Sequence, residues 1–269
     1  MLLAIDIGNT QTVVGLFEDA QLRHTWRFAS DVTRTTDELK AIVTQLFDEA
    51  SKDSTTLIKI EHIIIASVVP SLTRIWTTLA QDFSYCVNSS KPIIVNADTA
   101  RRYSDSTYIK NPTEVGADRI ANTVAAKTLY GAPAIVLDFG TATNIDAISK
   151  EGTYIGGIIS PGIQTAATAL FTSAARLPAI DLDLPPQVLG TSTKTAVQSG
   201  LLYGEAGKMD ALIQKLQKEM PQFDIPDLSV IATGGLASLI APLITRITHS
   251  DEHLTLKGLQ LIAQEFDHG

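Results

Sequence analysis

The chain is written twice. A short apolar run from Met1 to Ile5 ends in Asp6-Ile7-Gly8-Asn9-Thr10, and a second, from Ala134 to Leu137, ends in Asp138-Phe139-Gly140-Thr141-Ala142-Thr143. The two aspartates lie 132 positions apart (138 minus 6), about half of the 269 residues. Each loop leads into a second apolar segment, Thr12 to Phe17 and Asn144 to Ile148. Each then meets a turn signal, Glu18-Asp19 and Lys150-Glu151-Gly152, and a third strand-like run, Leu22 to Phe28 and Tyr154 to Ile159. Both halves therefore begin strand, Gly-containing loop, strand, turn, strand.

Helical patterns follow in both. Leu39, Ile42, Val43, Leu46 and Phe47 have the spacing of a buried helix face between Thr36 and Ala50, and Ile163 to Ala175 is an alanine-rich helical stretch. Later in each half a buried strand runs into a turn and a helix. These are His62 to Ser67 followed by Val68 to Leu79, and Ser229 to Gly235 followed by Leu236 to Ile244. Alternating strands and helices predict an α/β fold. The doubling predicts two similar lobes with a cleft between them. Lys110-Asn111-Pro112-Thr113-Glu114 interrupts the pattern ahead of a helix from about Glu114 to Tyr130, which places the join near residue 117, with lobes 1–117 and 118–269.

Composition narrows the function classes. Hydrophobic residues make up 45% and charged residues 19%, enough apolar material for a sizeable core. A net charge of -8 repels phosphate backbones, so nucleic-acid partners are not expected, although a local anion pocket remains compatible with it. No stretch approaches the length of a membrane span. The opening Met-Leu-Leu-Ala-Ile-Asp has no basic leader, and its apolar run is far shorter than a signal peptide's. Cys86 is the lone cysteine and fits a reducing compartment as a structural thiol. Together these predict a soluble cytoplasmic protein with no membrane partner. There is no G-x-x-x-x-G-K-[ST] loop, no protein-kinase motif set and no zinc-spaced Cys/His cluster. The scattered His249, His253 and His268 read as surface residues.

The loops carry the chemistry. A glycine just past a strand lets the backbone turn tightly and approach a ligand. Asn9, Thr10, Thr12 and free backbone N–H groups can donate to phosphate oxygens, while Asp6 can hold Mg²⁺, directly or through water, and so reach phosphates through the metal. Alone, this loop reads more simply as a capped hairpin turn. The second copy adds another carboxylate, another glycine and two hydroxyls at the matching place, and two such loops can grip a polyphosphate. Asp138 and Asp146 are candidate cation ligands. Gly116-Ala117-Asp118-Arg119 stands at the start of a helix, where unpaired N–H groups favour anions. Arg119 can pair with a carboxylate, and Asp118 can accept a hydroxyl proton. On these four residues alone, a dipole-stabilising aspartate beside a surface arginine is the favoured reading. Gly156-Gly157, Ser160-Pro161-Gly162 and Gly234-Gly235 suggest close backbone approach, the last leaving room for an adenosine; Gly200, Gly204 and Gly207 suggest close helix packing.

Taken together, DIGNT at 6–10, NPTEVGADR at 111–119, DFGTATNID at 138–146, GGIISPGI at 156–163 and ATGG at 232–235 resemble the type III pantothenate kinase family. The resemblance implies two ribonuclease-H-like lobes of the sugar-kinase, heat-shock-70 and actin superfamily, with the active site in the interlobe cleft. It implies ATP-dependent phosphorylation of pantothenate to 4'-phosphopantothenate, the first step of coenzyme A synthesis, in a homodimer. By this resemblance the ATP loop is Asp6, Ile7, Gly8, Asn9, Thr10, Gln11, Thr12 and Val13, and Thr141 also contacts ATP. The pantothenate segment is Gly116, Ala117, Asp118 and Arg119, with Asp118 as general base. Thr193, in Gly190-Thr191-Ser192-Thr193, is a further substrate contact, and Asp138 binds a monovalent cation, K⁺ or NH₄⁺. Two positions depart from the pattern. A tyrosine often found two residues before Asn-Pro is Ile109 here, with Tyr108 adjacent, and Asn144 replaces a common threonine. A superfamily kinase for another hydroxyl substrate, and a non-enzymatic nucleotide-binding regulator, are the alternatives.

Overall fold

The computed structural model describes residues 1–53, 58–86, 91–174 and 180–267. The chain divides into two compact units. One comprises Met1–Ser106, Lys110–Ala125 and Thr255–Gly269; the other comprises Thr107–Ile109 and Ala126–Leu254.

The first unit is built on strands β1 (Leu2–Ile7), β2 (Gln11–Glu18), β3 (Gln21–Ala29), β4 (His62–Ser67) and β5 (Ile93–Ile94), with helices α1 (Thr36–Asp53), α2 (Pro70–Gln81) and α3 (Ala97–Tyr103). The sheet order is β3-β2-β1-β4-β5. β1, β2 and β3 pair antiparallel, and β4 and β5 add in parallel. A 3-10 turn at Pro112–Glu114 precedes α4 (Ala117–Leu129). Because strand residues alternate between faces, one face of the sheet carries Leu3, Ile5, Ile7, Val14 and Leu16 against Leu39, Val43 and Phe47 of α1 and Leu72 and Trp76 of α2. The opposite face carries Ala4, Phe17, Ile64 and Ala66 into a second cluster with Ile120, Ala121 and Val124 of α4.

The second unit repeats the plan with β6 (Ala134–Phe139), β7 (Ala142–Ile148), β8 (Tyr154–Pro161), β9 (Ser229–Thr233) and β10 (His249–Ser250). Its order, β10-β9-β6-β7-β8, is the first sheet's order read from the other edge. Helices α5 (Ile163–Ser173), α6 (Thr193–Glu219) and α7 (Ala237–Ile240) follow their strands. Ile135, Leu137, Phe139 and Ile145 pack with Leu202, Ala206, Met209 and Ile213 of α6. The last helix, α8 (Leu254–Asp267), returns to the first unit and buries Leu256, Leu259 and Ile262 in the cluster that holds α4.

The division thus falls within α4, between Ala125 and Ala126, rather than near residue 117, and the C-terminal helix groups with the N-terminal sheet. The cause is apolar: the faces of α4 and α8 share one core with β1 and β4. The helix expected from Glu114 begins only at Ala117, after the 3-10 turn. The one expected over Leu236 to Ile244 stops at Ile240 and continues as a 3-10 turn, Ala241–Leu243, with Pro242 near its start. Ala175 and His268 lie outside the described residues; His249 is exposed and His253 half-buried. Among the described residues, no helix is long and apolar enough to cross a membrane.

Candidate active site

The β1–β2 connection is a tight loop at the carboxyl end of β1. Asp6 lies opposite Val13 on β2 and Ala66 on β4. The Gly8 N–H donates to the Gln11 carbonyl at 3.0 Å. Asn9, Thr10 and Gln11 are exposed, and Asp6 and Gly8 are half-buried. The Ile7 and Val13 side chains are packed into the apolar clusters, so what these two residues can offer a ligand is backbone. Thr12 is buried, and its hydroxyl shares a 2.9 Å hydrogen bond with that of Ser30. The Ser30 N–H donates to the Thr10 carbonyl at 2.9 Å. Ser30 carries no signal in the sequence, because its place depends on the register of β3.

The second loop ends β6. Strand pairing sets Asp138 opposite Asn144 and Thr233, and sets Val136 opposite Asp146. Strand alternation therefore puts Asp138, Asn144 and Asp146 on one face of the sheet, with Asp146 fully buried. The Asp138 carboxylate sits in a glycine cradle. A Cβ on Gly234 would stand 2.5 Å from its Oδ1, and one on Gly140 would stand 3.7 Å away. Gly234 also has φ +92°, a backbone conformation that glycine adopts without strain. The Thr141 carbonyl accepts from the Gly162 N–H at 3.1 Å and from the Thr165 hydroxyl at 2.7 Å, so the start of α5 grips the loop. A Cβ on Gly162 would stand 2.6 Å from the Thr141 oxygen and would overlap the Gly140 oxygen. In the same unit, Lys208 on α6 pairs with buried Glu205 at 2.6 Å and donates to the Ser160 hydroxyl at 3.0 Å; the Ser160 hydroxyl donates to the Thr143 carbonyl at 3.3 Å. Neither Lys208 nor Glu205 stood out in the sequence.

The segment before α4 is stitched to itself. The Asn111 amide donates to Glu114 at 2.7 Å, and the Thr113 hydroxyl donates to Asn111 at 2.6 Å. Asp118 folds back over the first turn of α4, where its Oδ1 accepts from the Arg119 N–H at 2.9 Å. That placement needs Gly116, because a Cβ there would overlap Asp118 Oδ1. Ala117 is buried in the cluster containing Ala4 and Ala66, so the first turn of α4 shares a core with the middle of β1 and the carboxyl end of β4. Asp118 and Arg119 are half-buried. Thr193, in the second unit, is exposed at the first position of α6, behind a capping box in which Thr195 N–H donates to Ser192 Oγ at 3.2 Å. Tyr108 is exposed and Ile109 half-buried.

Two sheets of one repeated topology, each with an aspartate and a glycine loop at the end of its first strand, define the two-lobed fold of sugar kinases and related ATPases. Solved structures agree on that fold. The ROK hexokinase from Thermus thermophilus matches with a TM-score of 0.52 and 12% identity, covering 100% of this chain and 99% of that one. The activator of the 2-hydroxyisocaproyl-CoA dehydratase from Clostridium difficile, solved with bound ADPNP, matches with a TM-score of 0.52 and 9% identity, covering 99% and 95%. The model of the type III pantothenate kinase family matches residues 2–215. Curated relatives named type III pantothenate kinase include those of Moorella thermoacetica, 43% identical, and Anaeromyxobacter sp., 42% identical, each over 262 residues, 97% of this chain and 98% of the relative. The chain belongs to the type III pantothenate kinase family.

Proposed function

We propose that the chain transfers the terminal phosphoryl group of ATP to the primary hydroxyl of pantothenate, giving 4'-phosphopantothenate and ADP, the first step of coenzyme A synthesis. The observation that carries the mechanism is the Asp118 carboxylate, held over the start of α4 by Gly116 in a chain of this family. The pantothenate hydroxyl oxygen forms the new bond to phosphorus while the bond from phosphorus to the ADP oxygen breaks, and Asp118 takes the hydroxyl proton. Arg119 pairs with the pantothenate carboxylate, and Gly116, Ala117 and Thr193 contact the same substrate. Residues Asp6 to Val13 hold the phosphates, chiefly through the loop N–H groups and the exposed Asn9 and Thr10, and Thr141 also contacts ATP.

The donors at the first loop are oxygens. Among the described residues, no group of three or more His, Cys, Asp or Glu side chains is placed to cage a metal. Asp6 is the residue that would hold Mg²⁺, directly or through water. When bound, the ion offsets phosphate charge. The Asp138 carboxylate, with glycine backbone close on two sides, is the group that would hold a monovalent cation, K⁺ or NH₄⁺. The α6 face bearing Gly200, Gly204 and Gly207 is exposed, with open space where each side chain would begin, and Val188 and Leu189 are exposed just before it. This surface supports a homodimer. The lone Cys86 and the acidic charge support a cytoplasmic protein without nucleic-acid partners.

A coupled ADP-release assay, with and without pantothenate and across a potassium titration, tests the reading. Pantothenate-dependent ADP release that rises with potassium is expected. ADP release indifferent to pantothenate, or confined to another hydroxyl substrate in a panel, overturns it.

A further inference from the structure

Strand β3 ends at Ala29, and the next residue turns back on the first loop. The Ser30 N–H donates to the Thr10 carbonyl at 2.9 Å, and its hydroxyl shares a 2.9 Å hydrogen bond with the Thr12 hydroxyl. Thr12 is 2% exposed, so Ser30 takes the place that water would otherwise fill for this group.

The second unit shows which part of this clamp belongs to the fold. Register pairs Gln11 with Ala29 in the first sheet and Ala142 with Pro161 in the second. One position further out, Thr10 and Ser30 therefore correspond to Thr141 and Gly162, and one position inward Thr12 corresponds to Thr143. The backbone bond recurs, with Gly162 N–H donating to the Thr141 carbonyl at 3.1 Å. The side-chain bond does not recur. Gly162 has no hydroxyl and no room for one, and the Thr143 hydroxyl, in a residue 1% exposed, has no hydrogen-bond partner among the described residues. The carbonyl clamp is thus common to both loops, whereas the hydroxyl clamp is an addition to the first.

We propose that Ser30 is a positioning residue for nucleotide phosphates. It acts through Thr10 and Thr12 to fix the Gly8–Gln11 loop before ATP arrives; this rests on the reading of that loop as the ATP site. A preset array of N–H and hydroxyl donors binds an anion without the cost of ordering the loop at that moment. Removing the Ser30 hydroxyl keeps the backbone bond to Thr10 but loosens the loop at Thr12, whose buried hydroxyl is left without this partner.

The test is steady-state kinetics on full-length Ser30→Ala and Ser30→Thr, with thermal melts and an Asp6→Asn control. Ser30→Ala is expected to raise KM for ATP about five- to tenfold, the worth of one hydrogen bond. KM for pantothenate should stay within twofold, and Ser30→Thr should restore the ATP value. A Ser30→Ala protein that melts earlier but keeps its KM for ATP overturns the proposal. Should that variant not fold, Ser30→Cys keeps the size of the side chain and weakens its bond to Thr12 while leaving the loop's own residues intact. A raised KM for ATP in Ser30→Cys supports the proposal, and an unchanged one overturns it. If Asp6→Asn retains wild-type ATP affinity, the reading of the loop itself fails. If Asp6→Asn loses ATP while Ser30→Ala does not, only the role of Ser30 fails.

Discussion

At the scale of single residues, the glycines of this chain are where the backbone makes space for carboxylates. Gly116 makes room for Asp118, and Gly140 and Gly234 flank Asp138. Asp118→Asn keeps the shape of the side chain and removes its basicity. A fall in kcat of about 100- to 10,000-fold is expected, with the melting temperature nearly unchanged, as measured by coupled turnover and calorimetry. Near-normal turnover would remove Asp118 from its role as base. Gly234→Ala is a different kind of change. The new Cβ would meet both Asp138 and the Phe139 backbone, the latter at 2.7 Å, at a φ of +92° that side chains rarely adopt. Strain of about 1–3 kcal/mol from the backbone conformation alone is expected, together with a shifted potassium dependence, because the residue displaced is the proposed cation ligand. Thermal melts and a potassium titration read the two effects separately.

At the scale of elements, the start of α5 acts as a clasp on the second loop through Gly162 and Thr165. Gly162→Ala sets a methyl group against two backbone oxygens that have no rotamer to escape into. The loop must shift, and the variant is expected to raise KM for ATP severalfold while lowering stability; a folded variant with native kinetics would deny the clasp a role. Much of this architecture could be read beforehand because long strands and amphipathic helices repeat their pattern over many residues. The strands β1, β2 and β3 and their counterparts were readable in this way, and the doubled Asp-Gly loops marked where each sheet opens. The elements not foreseen have physical reasons. β5 and β10 have two residues each, too few for any period to register. α8 contains Gly258, which reads as a helix breaker, yet a Cβ there would overlap the Ala121 carbonyl oxygen, so the glycine marks a close crossing with α4. Ser30, Lys208 and Glu205 are ordinary in sequence and gain their roles only from cross-strand register or helix phase. No local pattern encodes such pairings.

At the scale of the whole chain, the doubled sequence gives two sheets of one topology, but it does not divide the chain at its midpoint. The last helix belongs with the first sheet. Leu256, Leu259 and Ile262 of α8 are buried beside Phe17, Ile64 and Ile120. The Thr255 hydroxyl donates to Asn122 at 2.8 Å, Glu265 accepts from the Tyr103 hydroxyl at 2.5 Å, and Arg102 pairs with Glu265 at 2.9 Å. Each buried aliphatic side chain contributes about 1.5–3 kcal/mol, so three of them approach the whole margin by which a domain stays folded, about 5–15 kcal/mol. A chain ending at His253 would also expose Ala4, Ala66 and the inner face of α4 to water. It is expected to lose the cooperative melting of the first unit and, with it, ATP binding at the Asp6 loop, although that loop lies nearly the whole length of the chain away in sequence. The milder Leu259→Ala should cost about 2–5 kcal/mol while preserving activity at low temperature, because it opens a cavity without touching the loop. Calorimetry and nucleotide titration on both variants check the argument. A truncated chain that still melts cooperatively and binds ATP would mean that the first sheet holds together without α8, and that the core shared by α4 and α8 adds little to the site.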